Sequence, residues 1–275
     1  MAEVTRPALR WHGGKWMLAP WIISHFPDHR VYTEAFGGAA SVLLRKARCY
    51  AEVYNDLDGE VVNLFRVLQD PAKAARLREM LTITPFARAE FELAYEPAAD
   101  PVERARRLII VGFMGFGSNG HNTSVRTGFR ANSNRSSTTP AHDWRNYPGE
   151  MVALIERLRG VVIEHRPAVS VIQQHDGPET LHYVDPPYVH STRDAGARQR
   201  DYRHEMDDEA HRLLAGVLRS VRGGVVLSGY PSPLYDDIYR GWHRVERRAL
   251  ADGARERTEV LWINDKAWES SWRLF

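Results

Sequence analysis

The chain has almost no cysteine. Cys49 is the single residue of that type among 275, which excludes an internal disulfide, and no cluster of Cys and His has zinc-type spacing. Long apolar runs are missing as well. None approaches the roughly 20 residues needed to cross a bilayer, and the N-terminus shows no charged-then-apolar secretory pattern. A membrane role and a bound metal are therefore not expected, whereas a cytoplasmic enzyme, monomeric in size, is. An excess of charge of either sign is nearly absent overall, because 37 Lys and Arg against 35 Asp and Glu leave +2. Its local distribution says more: Leu108 to His142 holds no acidic residue but contains Arg126, Arg130 and Arg135. No internal repeat or low-complexity tract is present. With 43% hydrophobic and 26% charged residues, the chain can build one sizeable core without staples and has room for a smaller inserted domain.

The richest stretch is Tyr183-Val184-Asp185-Pro186-Pro187-Tyr188. Leu181 to Val184 suits a buried strand, and the prolines, lacking backbone donors, must end its ladder. Asp185 then stands at a strand's carboxyl end, held out of the helical region by the proline that follows. Such a set suits alkyl transfer to a ring-conjugated amine. The acid accepts one amine hydrogen and the Pro186 carbonyl the other, so that the lone pair is turned towards attack. Tyr188 offers an aromatic face on which a base turned out of a duplex can stack. By itself the tetrad is equally an ordinary strand-ending turn.

Earlier in the chain, Trp11-His12-Gly13-Gly14-Lys15 precedes an apolar-periodic stretch, Met17 to Phe26, that reads as a short helix. Backbone donors of the glycine turn, with Lys15 for charge and Trp11 for an apolar wall, suit an anion such as a carboxylate. Val31 to Glu34 reads as a strand that passes through Phe36-Gly37-Gly38-Ala39-Ala40-Ser41 into a helix over Val42 to Ala47. About 20 residues on, Tyr54-Asn55-Asp56 ends a second strand, and an acid there can bind ribose hydroxyls. Asp56 can equally cap a helix over Leu57 to Leu68. The Phe36 turn lacks the Gly-x-Gly-x-x-Gly spacing of a dinucleotide site, which favours S-adenosylmethionine over a dinucleotide.

Asp70 to Gly115 is helical in pattern and punctuated by Pro71, Pro85 and Pro101. A polar segment rich in Gly, Asn, Ser and Arg runs from Gly115 to about Trp144, too polar to build a core. Its arginines suit phosphates, and its Asn and Ser side chains suit base edges. Arg193 to Arg203 is a second basic loop. Helices are expected at Glu150 to Leu158, Val169 to Gln174, Asp207 to Val221 and Leu234 to Tyr239. Strands are expected at Val161 to Glu164 and Gly224 to Ser228, with an antiparallel pair at Trp242 to Ala249 and Thr258 to Asn264. The alternation describes an α/β sheet.

Taken together and in order, these residues resemble the bacterial and phage DNA adenine methylases of the Dam type. Arg10 to Lys15 is similar to that family's N-terminal cofactor motif, Thr33 to Gly38 to its methionine-binding turn, and Asn55-Asp56 to its ribose-binding acid. Asp185-Pro186-Pro187-Tyr188 is similar to its catalytic tetrad, and Phe116-Gly117-Ser118-Asn119-Gly120 to the start of its target-recognition region. The resemblance implies a Rossmann-like S-adenosylmethionine-dependent methyltransferase sheet, residues 1–69 and 150–275, with an inserted, mainly helical target-recognition subdomain over 70–149. It implies cofactor contacts from Trp11, Lys15, Glu34, Phe36, Gly37, Gly38, Asp56 and Asp185, and catalysis by Asp185, Pro186, Pro187 and Tyr188. Contacts to double-stranded DNA would come from Ser118, Asn119, Arg126, Arg130 and Arg135. Thr258 to Trp262 would be the closing strand. Two departures stand out: Ala40 replaces a frequent glycine, and Ser118 replaces the aromatic wedge of members that read GATC. Methylation of RNA adenine or of a protein glutamine, or a silent DNA-binding relative, are the competing readings. Asp185, where glutamine enzymes favour Asn, and the basic insert argue against the glutamine target.

Overall fold

A computed structural model describes residues 3–117, 126–132, 138–189, 192, 204–251 and 255–271. The chain forms two units, entering each more than once: Met1–Trp16, Gly38–Arg45 and Asp58–Arg159 make one, and Met17–Gly37, Lys46–Leu57 and Gly160–Phe275 the other.

The second unit is built on a seven-stranded sheet. Its strands are β1 (Val31–Glu34), β2 (Ala51–Asn55), β3 (Val161–Glu164), β4 (Thr180–Val184), β5 (Gly224–Gly229), β6 (His243–Ala251) and β7 (Arg255–Ile263). They lie in the order β3-β2-β1-β4-β5-β7-β6. The first five are parallel, and β7 runs antiparallel to both β5 and β6. Every residue of β4 and β5 is buried, so neither strand alternates between a buried and an exposed face. Between β1 and β4 the strand order reverses direction, and Glu34 pairs in register with both Tyr54 and Tyr183. The segments that leave β1, β2 and β4 therefore emerge side by side at the carboxyl edge, where open α/β sheets form a ligand crevice.

Helices α1 (Ala19–Ile23), α8 (Ala168–His175), α9 (Asp208–Ser220), α10 (Pro233–Ile238) and α11 (Asp265–Ser271) complete this unit. In α9 the apolar stripe Leu214, Ala215 and Leu218 faces a cluster that includes Val184, Val225, Leu227 and Trp262. Asp207 starts the helix by accepting from the Ala210 amide at 2.8 Å.

The other unit is helical: α2 (Ser41–Arg45), α3 (Gly59–Gln69), α4 (Pro71–Ile83), α5 (Arg88–Leu93), α6 (Pro101–Met114) and α7 (Pro140–Leu158). Each of the four longest starts on a capping side chain, Asp58, Asp70, Asp100 and Thr139 in turn. Three of them place proline at the first position, where no backbone donor is needed. Arg106 ties the bundle internally, with Glu103 at 2.7 Å, Glu90 at 2.8 Å and the Thr84 hydroxyl at 3.0 Å.

Four expectations need correction. The cap of α3 is Asp58, whose carboxylate accepts from the Glu60 amide at 2.9 Å, so capping does not fall to Asp56. The helix expected from Glu150 begins at Pro140 and runs through Pro148, because tertiary packing of Trp144, Tyr147 and Met151 holds together a helix that a proline and a glycine would break in isolation. The segment expected to be too polar for a core thus contributes buried Trp144, whose indole donates to the Thr84 carbonyl at 2.8 Å. Phe129 adds aromatic contacts with Phe86 and Phe91. The shorter helices also differ in extent, Ala19–Ile23 and Ser41–Arg45 replacing broader expectations.

Candidate active site

Asp185 follows β4 and is half-buried. The Ser228 hydroxyl, near the end of the neighbouring β5, donates to its Oδ1 at 2.6 Å. A serine has one proton to give, so the Tyr183 hydroxyl, 3.1 Å away, must donate to Ser228 in turn. Burial and the Asp185 carboxylate hold the Tyr183 phenol well above its ordinary range, which keeps that donor protonated. A chain of donors therefore ends on the acid. Pro186 is buried, and Tyr188 is only 8% exposed. The Tyr188 hydroxyl donates to Glu259 Oε2 at 2.9 Å, and its ring meets Tyr230 at a centroid distance of 4.5 Å, nearly perpendicular. Burial and Glu259 push its pKa well up.

At the exit of β1, Glu34 is 2% exposed and accepts from the Tyr32 hydroxyl at 2.7 Å. Phe36 packs against the apolar cluster of α9 and β5. The Gly37 amide donates to the Asn55 carbonyl at 2.8 Å. A Cβ on Gly37 would fall 2.1 Å from the Tyr54 ring. Asn55 does more than end β2: its side-chain amide donates to the Ala35 carbonyl at 2.9 Å and the Arg166 carbonyl at 3.0 Å, and its oxygen accepts from the Arg166 amide. One buried amide thus ties the exits of β1, β2 and β3 together. Asp56, half-buried, comes next in the chain.

In the helical unit, Lys15 is 6% exposed and donates to the Gly13 carbonyl at 2.8 Å. Gly13 and Gly38 both adopt positive φ, 68° and 47°. A Cβ on Gly38 would lie 2.9 Å from the Trp11 indole nitrogen. Trp11, separated from it by 27 positions in sequence, thereby packs against Gly38. Ala40 also takes a positive φ, 55°, the conformation for which glycine is the usual residue.

A family model described as D12 class N6 adenine-specific DNA methyltransferase matches residues 11–251. The chain belongs to this family. The matched span runs from Trp11 past Asp185-Pro186-Pro187-Tyr188 and Tyr230, and the Dam-type resemblance and the methyltransferase sheet are both upheld by it. No curated protein matches the chain. Its activity is methylation of adenine N6 in DNA.

Among the described residues of this methyltransferase, no group of three or more His, Cys, Asp or Glu side chains is placed to hold a metal. None of its described helices is long and apolar enough to cross a membrane. Of the residues expected at DNA, Arg126 is exposed, lies 3.5 Å from Glu96 and stacks over Tyr95. Arg130 is half-buried and donates to the Phe113 carbonyl at 3.2 Å. Ser118, Asn119, Arg135 and the whole loop from Arg193 to Arg203 lie outside the described residues. Sequence reasoning passed over Ser228, Tyr230 and the side chain of Asn55, and treated Glu259 only as part of a closing strand. The signal for the first two was present: Ser228-Gly229-Tyr230-Pro231 follows an apolar strand, the same strand-then-polar-then-proline pattern as the tetrad.

Proposed function

We propose that this D12-class enzyme takes its methyl group from S-adenosylmethionine and delivers it to an adenine turned out of double-stranded DNA, with Asp185 to Tyr188 as the reacting edge. The observation that carries the reading is the Tyr183–Ser228–Asp185 chain of hydrogen bonds at the carboxyl end of β4, beside the reversal of strand order. Bound there, S-adenosylmethionine supplies an electrophilic methyl group on a sulfonium.

The residues present fit that molecule. Gly37 leaves no room for a side chain, so the backbone itself forms the wall after β1, and Asp56 ends β2 where an acid can accept from ribose hydroxyls. Glu34 and Phe36 flank that wall. In the helical unit, the buried ammonium of Lys15 and the indole of Trp11, set against Gly38, suit the cofactor's carboxylate end. Asp185, oriented by Ser228, accepts one amine hydrogen of the adenine while the Pro186 carbonyl accepts the other, and Pro187 stiffens the turn. With the cofactor bound, the N–C bond would form as the methyl–sulfur bond breaks, S-adenosylhomocysteine would be the leaving group, and Asp185 would take the amine proton. Tyr188 stacks on the base, worth about 1 to 3 kcal/mol. Residues 70–149 carry target recognition, with Ser118, Asn119, Arg126, Arg130 and Arg135 towards the duplex. The Arg126 pair with Glu96 is a surface contact of the kind that contributes less than about 1 kcal/mol, so exchanging it for a phosphate costs little.

Labelled methyl transfer from S-adenosylmethionine to DNA and, in parallel, to RNA, with identification of the modified nucleoside, tests this. Label in N6-methyladenine from DNA is expected. In Asp185→Ala the rate should fall by at least about 1,000-fold with DNA affinity little changed. Turnover near that of the parent would remove Asp185 from the mechanism, and label confined to RNA would overturn the substrate.

A further inference from the structure

Glu259 lies beyond residue 251, where the family match ends, yet it reaches the catalytic tetrad. It stands in β7, in an otherwise apolar run Val260-Leu261-Trp262-Ile263, and is only 7% exposed. A carboxylate so placed is costly unless something satisfies it. The Tyr188 hydroxyl does so, at 2.9 Å. The bond is unusual in its reach. The strand order puts β5 between β4 and β7, so the link passes from the loop after β4 across the end of β5. There Gly229 pairs in register with Val260, which brings Tyr230, the next residue of the chain, beside Tyr188. Arg257, two residues before Glu259 on the same strand, lies over the Tyr230 ring at 5.9 Å.

Tyrosine has two side-chain torsions ahead of its hydroxyl. Packing against Tyr230 restrains the ring, and anchoring its far end to a carboxylate fixes how the ring is turned. We infer that Glu259 is a positioning residue for adenine methylation: by accepting the Tyr188 hydroxyl it holds the ring in the orientation on which the extrahelical adenine stacks. The inference rests on the proposed role of Tyr188 in holding that base. It adds a requirement the tetrad alone does not contain, namely an acceptor on β7. The raised pKa of Tyr188, caused by burial and then by Glu259 itself, keeps the donor protonated through neutral and mildly alkaline pH.

The test is a double-mutant cycle on the full chain, read by single-turnover methyl transfer and by the fluorescence of 2-aminopurine at the target position, which brightens when the base leaves the stack. Tyr188→Phe keeps the ring and removes the donor; Glu259→Ala removes the acceptor; Glu259→Gln keeps an acceptor. Each of the first two should lower the transfer rate about tenfold and dim the extrahelical signal, and the double variant should be no worse than either. Glu259→Gln should stay within about threefold of the parent. Affinity for S-adenosylmethionine should be unchanged in all of them. If the two losses multiply to about 100-fold, or if Glu259→Ala transfers at the parent rate, Glu259 does not act through Tyr188 and the inference falls. A parent chain that transfers no methyl group to DNA would instead overturn the proposed function, and the inference with it.

Discussion

Gly37 shows how little space the exit of β1 leaves for a side chain. A single added carbon there would lie 2.1 Å from the Tyr54 ring, and that ring is wholly buried and cannot step aside. Gly37→Ala should therefore cost about 1 to 3 kcal/mol of stability by overpacking, and weaken S-adenosylmethionine binding at least tenfold, about 1.4 kcal/mol. Denaturant unfolding and calorimetric titration would measure the two effects separately. The sequence made Gly37 legible as part of a strand-to-helix turn that, by resemblance, meets a ligand. The structure adds a second reason, packing of the β1 exit on the side chain of β2, and that contact joins residues 17 positions apart. Asp185 was legible for a different reason: its restraint comes from the prolines that immediately follow it. Asp56 and Asp58 mark the limit of such reading. Both are acids just ahead of a helix, and only the backbone path decides that Asp58 presents its carboxylate to the first turn.

At the scale of elements, helix starts carry stability that one side chain can remove. Asp100 caps α6 by accepting from the Val102 amide at 3.2 Å and also pairs with Arg76 of α4 at 2.6 Å. Asp100→Ala should lower unfolding free energy by about 1 to 2 kcal/mol, most of it from the cap, because the ion pair is partly solvated. Urea denaturation would detect it, and Asp100→Ser, which keeps the cap, should recover most of the loss. Helix starts of this kind were visible in the residues, since Asp-Pro at 70–71 and 100–101 names both cap and first position. The start of α7 was not. Thr139-Pro140 carries the same signature, but Pro148 and Gly149 disfavour a helix locally. What holds α7 together is burial of Trp144, Tyr147 and Met151, which local propensity does not register.

For the whole molecule, buried titrating groups set a window of pH. Tyr32, Tyr147, Tyr183, Tyr188 and Tyr239 are all held above the ordinary tyrosine range, burial being the first cause in each. Above about pH 10 the unfolded chain loses these protons while the folded one keeps them, so stability should fall as pH rises, by roughly 1.4 kcal/mol per group per pH unit. On the acid side His29, His175 and His182 are lowered, again first by burial. Their contribution is present above about pH 6.5 and is lost as pH falls below it, because the unfolded chain then binds protons the folded one refuses. Unfolding free energy measured from pH 5 to 11 should form a plateau between those limits. Tyr239→Phe, which removes a buried hydroxyl with no partner among the described residues, should flatten the alkaline slope by one group and leave neutral stability equal or higher. The same division between local and distant contacts runs through the protein as a whole. From its residues alone this chain determined an α/β sheet, where its main strands end and its class of reaction, because strand composition, proline restraint and short motifs act over a few neighbouring positions. Only the tertiary structure decided that Ser228 holds Asp185, that Asn55 ties three strand exits, and that Glu259 meets Tyr188 71 positions away. A hydrogen bond needs its partners within about 3 Å, and for residues that far apart in the chain only strand order and register bring them there.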